Sequence, residues 1–155
     1  GVEREVAGLR DKTEVWAHTC WGNPFAQNLG YDSRYAPVLP YLEQIDVDVI
    51  TFEMKYANFL ELNEVASAIS KDKKIALGVI SHRTLQIETP EEIAADIRKA
   101  IAVIDPERLI LSSDCGFGRQ GISRKHAYFK MIAMVRGANI VRRELGLDEV
   151  PVLAA

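Results

Sequence analysis

Short, nearly continuous apolar runs alternate along this chain with segments whose apolar residues recur every three or four positions. The runs are residues 13–20, Val47–Met54, Lys74–Ser81 and Arg108–Ser113. Their length and β-branched content predict strands buried on both faces. Helical periodicity follows each run. Val38, Leu39, Leu42 and Ile45 predict a short helix over Tyr35–Gln44, and Leu62, Val65, Ala66 and Ile69 one over Phe59–Ile69. Ile93, Ile97, Ala100 and Ile101 form the buried stripe expected of a third helix, which starts at Thr89-Pro90-Glu91-Glu92. There Thr89 is the N-cap, Pro90 takes the first helical position and Glu92 closes a capping box. A last helix is expected over Ser123–Leu145, with Met131, Ile132, Val135, Ala138 and Val141 inward and Gly146 ending it. The order β-α-β-α-β-α-β-α, at about 30–35 residues per unit, is that of an α/β fold with a parallel sheet. An open doubly wound sheet and half of a (β/α)8 barrel both fit. No Gly-x-Gly-x-x-Gly follows a strand, so dinucleotide binding is unsupported.

The 155 residues suffice for one domain, 1–155. Residues 1–12 read as the end of a helix and a short loop, and such an opening leads one to expect further sequence upstream. A net charge of −3 argues against a nucleic-acid surface. Arg136, Arg142 and Arg143 cluster, but Glu144 and Asp148 interrupt them, as on a solvated helix face. No apolar run approaches the roughly 18 residues of a membrane span, and the chain starts without a secretion-type apolar segment. The expected location is therefore cytoplasmic, where Cys20 and Cys115 act as thiols rather than as a bridge.

Chemistry gathers at the C-terminal ends of the strands, where parallel α/β folds bind ligands. His18 and Cys20 end the first run, two apart and so on the same side of an extended strand. Glu53 ends the second run, His82 follows the third, and Asp114-Cys115 follow the fourth. His126, in the last helix, reads as structural. The loop Cys115-Gly116-Phe117-Gly118-Arg119-Gln120-Gly121 lacks the lysine of a phosphate loop and reads as a backbone device beneath Cys115. His18, Cys20, Glu53 and Cys115 make a tetrahedral N, S, O, S set that selects zinc. Two thiolates leave such an ion electron-rich, better suited to holding a substrate thiol as thiolate than to generating hydroxide. Glu53 is the most easily displaced member of the set.

His18-x-Cys20, Glu53, Gly78-Val79-Ile80-Ser81-His82 and Asp114-Cys115-Gly116, in this order, resemble the C-terminal catalytic domain of cobalamin-independent methionine synthases. The resemblance runs from about residue 13 to 145 and includes the Thr-Pro-Glu-Glu helix start. It implies a (β/α)8 barrel of the uroporphyrinogen decarboxylase-like superfamily, of which this chain is the C-terminal half, four βα units. It also implies one zinc ion on His18, Cys20, Glu53 and Cys115, homocysteine as the thiol, a methylated folate as the methyl donor, and a place in methionine biosynthesis. The histidine matching His82 is the proton donor to the leaving nitrogen, and Asp114 is placed to support a ligand from behind as a hydrogen-bond acceptor. The family domain is about twice as long, and its upstream half carries much of the homocysteine pocket. Trp21-Gly22-Asn23 also departs from the serine-rich loop of the methionine synthases and resembles epoxyalkane:coenzyme M transferases, which alkylate a thiol with an epoxide. Two further readings therefore stand beside the first: thiol alkylation of that second type, and a non-catalytic fragment or barrel half completed by a partner chain, a homo-oligomer included.

Overall fold

A computed structural model of the chain describes residues 1–21, 34–119 and 121–152. Its elements are α1 (Val2–Val6), β1 (Trp16–His18), α2 (Leu39–Leu42), β2 (Val49–Phe52), α3 (Leu62–Ala68), β3 (Lys74–Ile80), α4 (Pro90–Ile101), β4 (Leu109–Ser113) and α5 (Arg124–Glu144). Every expected strand and helix is present, most of them shorter than the apolar runs suggest. Cys20 and Glu53 therefore lie just beyond β1 and β2, on the rim. The expected loop Trp21–Ser33 lies, from residue 22 on, outside the described residues.

The four strands form one parallel sheet in the order β1-β2-β3-β4. Strand order follows chain order without the reversal that marks a doubly wound sheet, so the winding is that of a barrel. Burial follows position in the sheet. All of β2 and all of β3 beyond Lys74 are buried, whereas β4 is half-buried and Trp16 and His18 of β1 are exposed. The core joins Val47, Ile50 and Phe52 to Ile75, Leu77, Val79 and Ile80, with Ile93 and Ile97 of α4 above them.

The helices end where their capping chemistry requires. The Thr89 hydroxyl accepts from Glu92 N (3.2 Å), and Glu92 Oε2 accepts from Thr89 N (2.7 Å). These bonds hold the Glu92 carboxyl below its ordinary value of 4.5. A lowered carboxyl stabilises the fold above its unfolded pKa, and that contribution is lost as pH falls through the folded value. Thr89→Ala should cost about 1 kcal/mol through loss of the N-cap bond, while the Thr89 N–H, the main cause of the lowered Glu92 carboxyl, remains in place. Urea unfolding checks this, and a stability equal to wild type would contradict it. At the end of α5, Gly146 (φ 71°) donates to Arg143 O (3.1 Å), and Leu147 donates to Arg142 O (2.8 Å), the paired bonds of a Schellman motif.

The inward face of α5 differs from the expected stripe. Lys130, Ala133, Met134, Gly137, Asn139 and Val141 are buried, Ile132, Val135 and Ala138 are half-buried, and Met131 is exposed. The cause is close packing on α4: a Cβ on Gly137 would stand 2.6 Å from Ile93 Cγ2 and 2.9 Å from Pro90 O. Small residues therefore take the contact that size and hydrophobicity assign to Met131 and Val135. Among the described residues, no helix is long and apolar enough to cross a membrane.

Candidate metal centre

The parallel register sets the ends of all four strands at one rim. His18 pairs with Thr51, Phe52 with Leu77, and Ile80 with Ser113, so the residues that follow these positions emerge together. Two groups of candidate ligands result. The ligand atoms of His18, Cys20 and Cys115 lie within 4.8 Å of one another, and so do those of Glu53, His82 and Cys115. The four expected ligands thus do not fall into a single group. They divide between an exposed triad and a buried one that share Cys115, and His82 joins Glu53 in the buried triad.

Cys20 Sγ and Cys115 Sγ are 3.5 Å apart, and no disulfide joins them. A disulfide would need about 2.05 Å. Two sulfurs on one tetrahedral zinc, each at about 2.3 Å, stand about 3.8 Å apart, so the pair already has nearly the separation of an ion's two thiolate ligands. His18 Nδ1 meets Thr51 Oγ1 at 2.6 Å, and that oxygen also accepts from Thr19 N (3.3 Å). With Nδ1–H as the second donor, the ring keeps its Nε2 lone pair for a ligand bond, the usual backing of a metal-binding histidine.

Glu53 is the buried carboxylate of the site, only 1% exposed. Its Oε2 accepts from Arg83 Nη2 at 3.1 Å, while its Oε1 has no hydrogen-bond partner among the described residues. A buried carboxylate oxygen left in that state is costly unless a cation completes it. Glu53 is held from behind by Tyr35, whose Oη accepts from Glu53 N at 2.8 Å. Tyr35 stacks edge-on against Phe52, and Glu61 accepts from the backbone N–H groups of Tyr35 and Ala36. Burial pushes the Tyr35 phenol well above its ordinary value, so it stays a neutral clamp.

Asp114 acts through the backbone. Its Oδ1 accepts from Met54 N and Lys55 N, and its Oδ2 from Tyr56 N, each at 2.9 Å, which fixes the turn directly after Glu53. Burial pushes its carboxyl up to about 7, against the opposing pull of those N–H donors. Gly78 makes the position available, since a Cβ there would lie 2.0 Å from Asp114 Oδ1 and 2.6 Å from Asp114 Cα. His82 is fully buried, and burial lowers its pKa, with Glu53 opposing the shift. His126 is structural: its Nδ1 meets Ser123 Oγ at 2.8 Å in the cap of α5. The glycine loop forms a turn of 3-10 helix at Phe117–Arg119, and Gly121 takes a left-handed φ of 67°.

Arg83, Thr51 and Tyr35 are contributions that the sequence reading missed. Arg83 adjoins His82 and carried the only local signal, a cation beside a candidate acid. Thr51 and Tyr35 reach the site across 33 and 18 positions and left no pattern in the chain.

A parallel sheet wound in one direction, with thiols, imidazoles and a carboxylate at its C-terminal rim, defines an α/β-barrel enzyme part with a candidate metal site. Residues 4–139 match the family described as cobalamin-independent synthase, catalytic domain. The methionine synthase of Saccharolobus islandicus strain Y.G.57.14 is 38% identical over 144 residues, 93% of this chain and 39% of that protein. The methionine synthase of Thermococcus kodakarensis is 32% identical over 147 residues, 95% of this chain and again 39% of the relative. Among solved structures, a B12-independent methionine synthase from Shewanella sp. W3-18-1, in complex with selenomethionine, superposes with a TM-score of 0.72 at 31% identity, covering 93% of this chain and 42% of that one. The chain belongs to the cobalamin-independent synthase catalytic-domain family. Its sheet matches the C-terminal half of the barrel of the Shewanella enzyme, and it spans 39% of the length of the curated relatives.

Proposed function

We propose that this chain is the zinc-carrying part of a thiol methyltransferase of the methionine-synthase type, acting on homocysteine with a methylated folate as donor. The observation that carries the reading is the Cys20–Cys115 pair, 3.5 Å apart between the two triads of candidate ligands. His18, Cys20 and Cys115 would hold the ion, with Glu53 as the fourth and exchangeable ligand. When bound, zinc supplies a lowered thiol pKa and a fixed position for the sulfur. The selenomethionine in the Shewanella enzyme, a selenium analogue of methionine, agrees with this substrate class.

The chain's own residues do the rest. Thr51 orients the His18 ring, and Tyr35 and Asp114 hold the backbone on either side of Glu53. His82 provides the proton for the leaving nitrogen of the donor; burial lowers its pKa, and the neighbouring Glu53 charge works against that shift. Residues 1–155 would form one unit of four βα pairs, with the other strands of a barrel supplied by further residues of the same protein or by a second chain. Along β1 and β4, each strand pairs on one side only among the described residues, which agrees with a sheet that continues in both directions.

His82→Asn should keep zinc while lowering methyl transfer to homocysteine by about 10²–10⁴-fold, the usual contribution of a positioned acid. Metal analysis and a methyl-transfer assay on the same preparation check both halves. Undiminished turnover would remove His82 from the reaction. Turnover of coenzyme M with an epoxide, and none of homocysteine with methylfolate, would replace the substrate assignment with thiol alkylation.

A further inference from the structure

We propose that Arg83 is the positioning residue that makes Glu53 the exchangeable ligand of the metal centre; the inference rests on the metal reading above. Arg83 Nη2 donates to Glu53 Oε2 at 3.1 Å, with both side chains largely buried, at 9% and 1% exposure. The guanidinium is braced in this contact by the Tyr56 ring, whose centroid lies 3.8 Å from its central carbon. The Tyr56 backbone is itself fixed by Asp114 Oδ2 (2.9 Å). One carboxylate oxygen is therefore committed to arginine, while Oε1 has no hydrogen-bond partner among the described residues. That division has two consequences. Glu53 can offer a metal only one oxygen, and the arginine draws charge from it, so it is the weakest donor beside two thiolates and an imidazole. When a thiol sulfur takes its place, with the thiol proton passing to solvent, the released carboxylate is not left as an uncompensated buried charge. Arg83 is already in contact with it, and it is the removal of such a partner that makes a buried charge costly.

His18, by contrast, is backed by a neutral hydroxyl, that of Thr51.

The test loads the full chain with Co(II), whose thiolate charge-transfer absorption counts the sulfurs bound. It is then titrated with 2-mercaptoethanol, a thiol that needs no amino-acid pocket. In the wild type the charge-transfer band should grow by about half on saturation, as two sulfurs become three. Arg83→Met should keep the initial band but need at least about tenfold more thiol for half-saturation. Arg83→Lys, which restores a cation, should lie within about threefold of wild type. Tyr56→Leu leaves the arginine present but unsupported and should give an intermediate shift. It carries the test if Arg83→Met fails to fold by circular dichroism. Half-saturation of Arg83→Met, or of Tyr56→Leu if the former is unfolded, within about twofold of wild type would overturn the role of Arg83. Absence of any thiolate band in the wild type would instead overturn the metal reading itself.

Discussion

Replacing Cys115 with serine is expected to abolish metal binding, from about one zinc per chain to less than about a tenth. Cys115 is the residue common to both triads, so its loss leaves His18 with Cys20 on one side and Glu53 with His82 on the other, two donors each. A serine hydroxyl is neutral at pH 7 and far poorer than a thiolate as a ligand for zinc. The wild type should also gain thermal stability on zinc addition, by mass action on the folded state, and Cys115→Ser should lose that response. Elemental analysis of protein purified without chelator, with melting curves at graded zinc, checks both. Zinc retained at the wild-type level would refute the site. Cys20→Ser is the informative companion, because it disturbs only the exposed triad.

The second large effect lies away from the ligands. Lys130 is completely buried in α5, and its ammonium donates to Glu88 Oε2 (2.8 Å) and to the carbonyl of Gln86. Glu88 in turn accepts from Ser81 N through Oε1 (2.8 Å), so this pair ties the segment that carries His82 to the last helix. Lys130→Met should destabilise the fold by about 3–5 kcal/mol, because it strands a buried carboxylate. Against a typical total of about 5–15 kcal/mol, that is enough to threaten folding. Combining it with Glu88→Gln should recover most of the loss, since the charge that needed the lysine is then gone. Urea denaturation of the two single variants and the double closes the cycle. A single-variant cost below about 1 kcal/mol would mean that the pair is not holding the loop.

Lys130 also marks the limit of what the sequence made legible. The four βα units could be read because a parallel sheet buries its strands on both faces and ends them at one rim. The cap at Thr89 and the stop at Gly146 could be read because capping is local chemistry. The candidate ligands could be named one by one for the same reason. Their grouping could not. That Cys115 serves two clusters, with His82 in one of them, depends on strand curvature and loop height, which no spacing encodes. The inward face of α5 was misjudged because a buried lysine reads as surface and a glycine reads as nothing, while Met131 reads as core. Asp114 was expected to support a ligand from behind; in the structure its carboxylate accepts from three backbone N–H groups past Glu53, an arrangement open only because Gly78 has no side chain.

The meeting of Cys20 and Cys115 has a bearing on chain entropy. They follow the first and last strands of the sheet, 95 positions apart, yet their sulfurs are 3.5 Å from each other. An ion gripped by both would close a loop containing β2, β3, β4 and every helix from α2 to α4. A cross-link around a loop of that size removes about 4–5 kcal/mol of disorder from the unfolded ensemble. Metal occupancy would then act as a clasp on the whole sheet.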